Sequence, residues 1–355
     1  MSHIEITSLC KSFGNKQIIK DISFTIEKGS FTVLVGPSGC GKSTILRIIA
    51  GLEKPDNGKI LVNNEDITSH SPSKRGLSMV FQSYALFPHL NVRENILFGL
   101  KIRKVNRSIQ EEKLTKVIKL VGLDKFLDKK PGELSGGQKQ RVALARAFVA
   151  EHTICLMDEP LSNLDAKLRH EMRIEIKSLQ KRLEMSVLYV THDQTEAMSM
   201  ADHVVLLNNG RIEQQGTPRE LYQKAATTFV GTFIGTPPMN IIKLNKHKEQ
   251  IQINQIQIKF NYTDSLSQGY SYLGIRPEDV IINTTSTGIK GMILFRDYHG
   301  SDTILGIRLE GHFNEKPFLA RIRGHDNHQI GDKIDVVWYE ENMHIFDSNG
   351  KRKDS

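Results

Sequence analysis

A glycine-rich loop between an apolar strand and an apolar helix constrains this chain more than any other feature. The loop reads GPSGCGKST over residues 36–44, after FTVLV and before ILRIIAGL. It matches the phosphate-loop pattern G-x-x-x-x-G-K-[ST] in full, whose glycines let backbone N–H groups reach nucleotide phosphates. We expect Lys42 to neutralise phosphate oxygens and the Ser43 hydroxyl to ligate Mg²⁺. The expected nucleotide contacts are Gly36, Pro37, Ser38, Gly39, Cys40, Gly41, Lys42, Ser43 and Thr44.

The pattern around this loop predicts an α/β unit. The stretches FTVLVG, TICLMDEP and MSVLYVTH are nearly all apolar, as expected for strands buried on both faces of a mainly parallel sheet. Two stretches near the N-terminus, HIEITSLCKSF and KQIIKDISFTIEKGS, alternate apolar and polar residues, which is typical of half-exposed strands. A helix is expected between the last two buried strands, where one apolar stripe joins Leu168, Met172, Ile176, Leu179 and Leu183.

The pattern changes after about residue 235. The stretch GTPPMN over residues 235–240 is a Gly/Pro break, and short strand-like segments follow it as far as residue 347. Such a series predicts a small β-barrel or sandwich. We therefore expect two domains, 1–235 and 236–355, with a polar tail over residues 348–355.

Charge and composition limit the classes of function. The net charge is +8, and residues 236–355 contribute none of it, because they hold 15 basic and 15 acidic residues. Residues 101–130 hold 10 basic and 4 acidic residues, which indicates a solvated helical face or, as an alternative, a surface near phospholipid headgroups or an acidic partner. No apolar run approaches the roughly 20 residues that span a bilayer, and no signal peptide is evident, so we expect a soluble or peripheral protein.

Four polar residues at the ends of apolar strands are candidates for catalysis. Asp158 ends one such strand, at the edge where open α/β sheets bind ligands, and can hold Mg²⁺. Glu159 follows it and is placed to polarise an attacking water, although a helix cap or a surface carboxylate is the alternative. His192 ends the next strand and can orient that water, or it is structural. Gln82 follows SMVF and can ligate Mg²⁺ or water.

Two further features bear on nucleotide binding. Phe13 lies ahead of the phosphate loop and can stack on a purine ring, or it is a core residue at a strand end. Residues 131–147 read PGELSGGQKQRVALARA, in which a Ser and two Gly open a predicted helix. A helix start of this kind is a second anion site, because its first N–H groups are unpaired and its dipole favours negative charge. The alternative is that Ser135 merely caps the helix.

The order of these motifs resembles that of ABC-type ATPases. The phosphate loop, Gln82, LSGGQ at 134–138, LMDEP, LSNLD at 161–165 and His192 occur in the family's order and spacing. The resemblance implies an ABC-type ATPase domain with an inserted helical subdomain at about 84–155 and N-terminal antiparallel strands. It also implies a head-to-tail homodimer, in which Asp165 couples the two sites. The LSGGQ residues of one copy would then serve the ATP of its partner: Ser135, Gly136, Gly137 and Gln138.

The resemblance extends over nearly the whole chain to the ATPase subunits of bacterial solute importers. GTPPMN and LGIRPEDV are similar to the branch that serves sugars, oligosaccharides and glycerol-3-phosphate, while RVALARA departs from it mildly. Importers of iron, polyamines and sulfate share the architecture and stay open as alternatives, as does an ABC ATPase that acts on nucleic acid and transports nothing. The C-terminal region resembles an OB-like (TOBE) regulatory barrel, to which a regulator could bind.

The same resemblance implies where the protein works and with whom. The expected partners are two membrane-spanning permease subunits and a solute-binding protein, with the chain peripheral at the cytoplasmic face of the inner membrane. We expect the loop after Gln82 to be apolar and exposed, and to receive a short helix of the membrane subunit through Tyr84, Leu86, Phe87 and Pro88. Nucleic acid is not expected as a partner, since the C-terminal region is neutral and an ssDNA groove is basic.

Overall fold

The computed structural model of the protein describes residues 2–247, 250–253, 256–258, 270–283, 288–310, 316–324 and 326–353. The chain forms two compact units, Met1–Pro218 and Arg219–Ser355. The sequence predicted a domain boundary at residue 235, which lies further along the chain than this division. That domain boundary stays a prediction. The predicted strand stretch 249–260 and the polar tail 348–355 fall partly outside the described residues.

The first unit alternates strands and helices. Its strands are β1 (Ser2–Phe13), β2 (Lys16–Glu27), β3 (Phe31–Val35), β4 (Asn57–Val62), β5 (Glu65–Asp66), β6 (Ser78–Val80), β7 (Ile154–Asp158), β8 (Ser186–Thr191), β9 (His203–Asn208) and β10 (Arg211–Gly216). Its helices are α1 (Lys42–Ala50), α2 (Val92–Ile102), α3 (Arg107–Val121), α4 (Gly136–Phe148), α5 (Ala166–Arg182) and α6 (Gln194–Met200).

Two sheets organise this unit. The larger sheet has the strand order β10-β9-β3-β8-β7-β6, and its strands run parallel except for β10 at the edge. The smaller sheet, β2-β1-β4-β5, is antiparallel and contains both N-terminal strands. Strands β3, β7 and β8 are buried along their whole length, because residues of both faces are covered. The predicted α/β class with N-terminal antiparallel strands is therefore confirmed.

Helix α5 carries most of the predicted apolar stripe. Met172, Ile176 and Leu179 are fully buried, whereas Leu168 is only half-buried. Leu183 is exposed, so its place in the stripe was wrong; the helix ends one residue earlier, at Arg182. Among the helices of the described residues, none is both long and apolar enough to cross a membrane.

The second unit is antiparallel β structure preceded by two short helices. The helices are α7 (Pro218–Gln223), which begins at the division, and α8 (Thr228–Phe233). The strands are β11 (Asn240–Lys243), β12 (Asn245–His247), β13 (Gln250–Ile253), β14 (Ile256–Ile258), β15 (Tyr270–Ile275), β16 (Ile281–Asn283), β17 (Ile289–Tyr298), β18 (Asp302–Leu309), β19 (Phe318–Arg323), β20 (Lys333–Val337) and β21 (His344–Asp347).

Apart from β12, β13 and β14, which make a separate sheet, these strands form a nearly closed barrel, one of the two arrangements that the sequence predicted. The sheets β11-β15-β21 and β16-β20-β17-β18-β19 share one apolar core that includes Leu273, Ile293 and Ile307. Phe318 packs at the edge of this core against Trp338, with ring centroids 5.9 Å apart. The barrel therefore has a hydrophobic core of its own.

Candidate nucleotide-binding site

The carboxyl ends of four adjacent strands bring the predicted site residues together. β3 leads into the phosphate loop, β7 ends at Asp158, His192 directly follows β8, and Gln82 lies shortly after β6. These strands are neighbours in the order β3-β8-β7-β6 and run parallel. Their carboxyl ends therefore meet at one edge of the sheet, which is where ligands bind in open α/β sheets.

The phosphate loop closes around the ammonium group of Lys42. Lys42 is buried, and its Nζ donates to the carbonyl oxygens of Gly36 at 2.8 Å and Pro37 at 2.9 Å. Helix α1 begins at Lys42, and the preceding Gly41 has φ 106° and caps it without a side-chain hydrogen bond. A Cβ on Gly36 would lie 2.3 Å from the carbonyl oxygen of Leu207, so only glycine fits there. A buried cation beside an uncapped helix start suits a phosphate group.

The other loop residues differ in exposure. Ser38 and Gly39 are exposed at the tip of the loop, and Pro37 and Thr44 are half-buried. Cys40 is buried, and this burial raises the pKa of its thiol, against the opposing effect of Lys42. The thiol is therefore kept in its neutral form. All three cysteines of the chain are free.

Ser43 and Asp158 form a pair of oxygen groups beside the loop. Ser43 Oγ donates to Asp158 Oδ1 at 2.8 Å. Burial raises the pKa of Asp158, and the hydrogen bond from Ser43 opposes that rise. A hydroxyl and a carboxylate are hard oxygen ligands of the type that Mg²⁺ prefers. No group of three or more His, Cys, Asp or Glu in the described residues could hold a metal.

Glu159 is held in a strained backbone conformation at the same edge. Its φ is 43°, which is uncommon for a residue with a side chain, and its N–H donates to the carbonyl oxygen of Val190 at 3.0 Å. Its Oε2 lies 3.0 Å from Nδ1 of His192. The Glu159 side chain is 18% exposed and that of His192 is 56% exposed, so the pair opens to solvent on the histidine side. Strain of this kind is concentrated at functional sites.

Gln82 completes this cluster from the neighbouring strand. Its Nε2 lies 3.5 Å from Glu159 Oε2 and 3.4 Å from Ser162 Oγ. Asn163 Nδ2 donates to the carbonyl oxygen of Gln82 at 3.0 Å, which fixes the backbone there. The sequence analysis assigned no role to Ser162 or Asn163. The only sign of a functional position is that both lie in the segment LSNLD, close to Asp165.

Phe13 lies at the tip of the β1–β2 hairpin and is 49% exposed, which argues against the alternative that it is a core residue. Lys11 Nζ lies 5.1 Å from the centroid of its ring. The hairpin approaches the phosphate loop through Ile19, whose Cδ1 would lie 2.4 Å from a Cβ on Gly41. The exposed ring of Phe13 is available to a flat ligand.

The LSGGQ segment forms the start of helix α4. Ser135 Oγ accepts from the N–H of Gln138 at 3.3 Å, and Gln138 Oε1 accepts from the N–H of Ser135 at 2.9 Å, which is a capping box. Ser135 and Gly136 are exposed, while Gly137 is buried. Asp165 caps the next helix, α5, by accepting from the N–H of Leu168 at 2.9 Å. The capping role of Ser135 is therefore real, and it leaves the residue exposed.

The loop after Gln82 is less exposed than expected. Tyr84 is only 8% exposed, so the expectation of an exposed ring was wrong for this residue. Burial raises the pKa of its hydroxyl. Phe87 is half-buried because its ring packs on Phe98, at a centroid distance of 4.2 Å. Leu86 is half-buried and Pro88 is exposed.

Comparisons with known proteins agree with this geometry. A family model described as ABC transporter matches residues 19–162, and one described as TOBE domain matches residues 273–346. The chain is 44% identical over 359 residues to the sn-glycerol-3-phosphate import ATP-binding protein UgpC of Brucella abortus (strain 2308), with 99% of each chain covered. Identity to the protein of the same name from Rhizobium meliloti (strain 1021) is 43%, covering 99% of this chain and 100% of the relative.

A solved structure points the same way. The cbiO1 protein from Clostridium perfringens, described as part of the ABC transporter complex cbiONQ, superposes with a TM-score of 0.59 at 28% identity. The match covers 63% of this chain and 91% of that one. Since full-length relatives exceed 40% identity and both domain models match in order, the chain belongs to the ATP-binding subunits of ABC importers, which hydrolyse ATP.

Proposed function

We propose that this chain works as a homodimer that hydrolyses ATP with Mg²⁺ at two composite sites and so drives solute import through membrane-spanning subunits. The observation that carries the proposal is the convergence of Glu159, His192 and Gln82 beside the Ser43–Asp158 pair. A nucleophilic water, its base and the phosphate-binding groups then share one edge of the sheet.

Each catalytic side chain has one task in this proposal. Glu159 accepts a hydrogen bond from the attacking water and polarises it. His192 holds Glu159 through Nδ1 at 3.0 Å and presents its other ring nitrogen to the γ-phosphate. Gln82 orients the water from the opposite side. Ser43, Asp158 and Gln82 would hold Mg²⁺, which would neutralise part of the phosphate charge when bound.

The nucleotide lies between the hairpin tip and the phosphate loop. The purine stacks on the exposed face of Phe13. The triphosphate follows the loop, whose expected contacts are Gly36, Pro37, Ser38, Gly39, Cys40, Gly41, Lys42, Ser43 and Thr44. Lys42 donates to the β- and γ-phosphate oxygens from its buried position.

The second half of each site comes from the partner copy. Within one chain, no hydrogen bond or ion pair between described residues joins the LSGGQ segment to the phosphate loop. In a C2 dimer the exposed helix start of one copy faces the γ-phosphate bound by the other, and two identical sites result. The proposed contacts are Ser135, Gly136, Gly137 and Gln138, and Asp165 couples the sites across the interface.

This arrangement converts hydrolysis into movement. The γ-phosphate adds contacts to the partner copy that ADP cannot make, so ATP favours the closed dimer and phosphate release favours the open one. The partners that receive the movement are two permease subunits, supplied with solute by a binding protein. The half-buried residues Leu86 and Phe87 and the exposed Pro88 contact a short helix of the permease, and the buried Tyr84 belongs to the same loop. The chain is then peripheral at the cytoplasmic face of the inner membrane.

The proposed solute is glycerol-3-phosphate or a related sugar compound, because the similar proteins carry the name sn-glycerol-3-phosphate import ATP-binding protein. The barrel unit is the proposed site of a regulator. The solute is tested by purifying the chain with its permease subunits in lipid vesicles and comparing stimulation of ATPase by binding protein loaded with glycerol-3-phosphate or with a disaccharide. Stimulation by neither compound contradicts this choice of solute.

The catalytic arrangement is tested by Glu159→Gln. The amide keeps the size and one hydrogen bond but cannot act as a base, so we expect hydrolysis to fall by about 100-fold or more while ATP still binds and closed dimers accumulate. Gel filtration with ATP and a phosphate-release assay measure both effects. Glu171→Gln, an exposed position on α5, is the matched control and is expected to behave as wild type. Normal turnover by Glu159→Gln would remove Glu159 from its role.

A further inference from the structure

Two polar side chains from different helices hold the loop that follows Gln82. On α2, the carboxamide of Asn95 is buried and fully used by the second half of the loop. Its Oδ1 accepts from the N–H of Phe87 at 2.8 Å, and its Nδ2 donates to the carbonyl oxygens of Phe87, Leu90 and Asn91 at 3.1, 3.0 and 3.0 Å. This part of the loop is therefore fixed to α2.

Arg146, on helix α4, holds the first half of the loop. Its Nη1 donates to the carbonyl oxygen of Ala85 and its Nη2 to that of Tyr84, each at 2.6 Å. No ion pair joins Arg146 to a carboxylate among the described residues, and partial burial lowers the pKa of its guanidinium. The planar fork of arginine matches two neighbouring carbonyl oxygens, whereas the single ammonium of lysine does not.

The backbone that Arg146 holds is strained. Tyr84 and Ala85 have φ values of 62° and 46°, so two consecutive residues with side chains occupy the left-handed region. L-residues avoid this region because Cβ approaches the following carbonyl group. Such a conformation persists only where the surroundings impose it. Here the two hydrogen bonds from Arg146 bind the carbonyl groups of both strained residues, and the N–H of Tyr84 donates to the carbonyl oxygen of Phe81 at 2.9 Å.

The two ends of this connection lie at the two halves of the proposed site. Tyr84 comes two residues after Gln82, whose carboxamide faces Glu159. Arg146 lies ten residues along α4 from Gly136, which is roughly 15 Å along the helix axis from the LSGGQ segment. A displacement at the start of α4 therefore reaches the backbone beside Gln82 through one rigid helix and two short hydrogen bonds.

We propose that Arg146 is a positioning residue, which couples the position of the signature helix α4 to the position of Gln82. Arg146 touches neither nucleotide nor water. Arg146 keeps the backbone after Gln82 attached to α4, the helix that carries LSGGQ. The correct position of Gln82 therefore depends on the correct position of α4. This inference rests on the roles proposed above for Gln82 and for the LSGGQ segment.

The test compares Arg146→Gln and Arg146→Lys with a matched control, Arg141→Gln. Arg141 lies on the same helix and donates to Glu175 at 2.8 Å and to the carbonyl oxygen of Val121 at 3.4 Å, away from the Gln82 loop. The measurements are kcat for ATP hydrolysis, the dissociation constant for ATP and the melting temperature. We expect Arg146→Gln to lower kcat about tenfold with ATP affinity within about twofold of wild type, because misplacing a catalytic group slows the chemical step.

The Arg146→Lys variant should lie between Arg146→Gln and wild type, since one ammonium can hold only one of the two carbonyl groups well. Arg141→Gln should show a similar loss of melting temperature without the fall in kcat. If Arg146→Gln does not fold, Arg146→Lys decides alone: a lowered kcat at unchanged ATP affinity supports the inference, and wild-type kcat overturns it.

Two other results overturn the inference. One is a kcat of Arg146→Gln within about twofold of wild type, well short of the loss that a misplaced group causes. The other is an equal loss of kcat in Arg146→Gln and Arg141→Gln, which would mean a general effect on the helix. Gln82→Ala is measured in parallel. If Gln82→Ala turns over normally, the proposed role of Gln82 fails; if it is impaired while Arg146→Gln is not, only the inference fails.

Discussion

The two glycine-containing helix starts of this protein are built differently. Helix α1 begins after Gly41, and no side chain caps it. Helix α4 begins after Ser135, whose side chain forms a reciprocal capping box with Gln138. An uncapped helix start leaves its first N–H groups available to a ligand. In a capped start, side chains of the helix itself already accept hydrogen bonds from some of these N–H groups. The first start is therefore open to phosphate within one chain, and the second is stable without it.

The glycines of the two starts also differ in what requires them. At Gly36, in the phosphate loop that leads to α1, the carbonyl oxygen of Leu207 lies 2.3 Å from the position of a Cβ, so the fold itself demands glycine. Gly136 and Gly137 have no positive φ, and a Cβ on either would meet only leucine side chains, at 3.2 and 3.1 Å. Glycine in a helix costs roughly 0.5–1 kcal/mol relative to alanine. Contacts of this length are tight, so Leu164 or Leu168 would have to shift slightly for alanine to fit, and the close approach proposed for the partner's ATP gives a second reason for glycine.

The largest effect is expected for Gly36→Ala, in the phosphate loop that precedes the first helix start. The new methyl group clashes with backbone on β9, and we expect the free energy of unfolding to fall by about 3 kcal/mol. Gly39→Ala is the control, because nothing lies within 4 Å of its Cβ position and only its φ of 78° is strained, at about 1 kcal/mol. Urea unfolding followed by far-ultraviolet circular dichroism measures both. Equal losses would show that the contact with β9 is not what fixes the loop.

Next in size is the effect of Ser135→Arg at the second helix start. A long cationic side chain there would block the partner's γ-phosphate, and we expect hydrolysis to fall about 100-fold, equivalent to about 2.7 kcal/mol, while the monomer still binds ATP. Asn106→Arg, which alters the cap of α3, is the control and should retain hydrolysis. Wild-type hydrolysis by purified Ser135→Arg would rule out the composite site.

The smallest effect separates the two roles of Ser135. Ser135→Ala removes the cap and should lower the free energy of unfolding by about 1 kcal/mol. Asn91→Ala removes the equivalent group from the capping box of α2 and should cost about the same. If Ser135 also serves ATP, only Ser135→Ala will lower kcat in addition. Two variants that match in both stability and kcat would leave Ser135 as a cap alone.

The residues at the carboxyl-terminal edge of the larger sheet could be predicted from the sequence. Their positions depend on the local sequence pattern and on the parallel pairing of neighbouring strands. The phosphate loop could be identified from spacing, and Asp158, Glu159 and His192 from their places after apolar strands. Parallel neighbouring strands bring such positions together, and β7 and β8 do pair in parallel. The distance between Glu159 and His192 follows from that pairing.

Contacts between distant segments could not be predicted in this way. Arg146 holds a carbonyl group 61 residues away, and nothing in RVALARA distinguishes it from a solvent-facing arginine. Tyr84 was expected to be exposed as part of an apolar contact surface for a membrane subunit, but its side chain is buried, and Tyr84 and Ala85 both have positive φ values. Both facts depend on how α4 packs beside the loop, and local spacing carries no information about that packing.

Trp338 is the only tryptophan of the chain, and it packs against Phe318 in the barrel. Intrinsic emission excited at the red edge therefore comes from the unit Arg219–Ser355 alone, and the ATPase unit is spectroscopically silent. A shift in that emission when a small molecule or protein is added would report a ligand of the barrel without any introduced label. Nucleotide titrations followed at the same wavelength would instead reveal whether the state of the ATPase unit is sensed by the other.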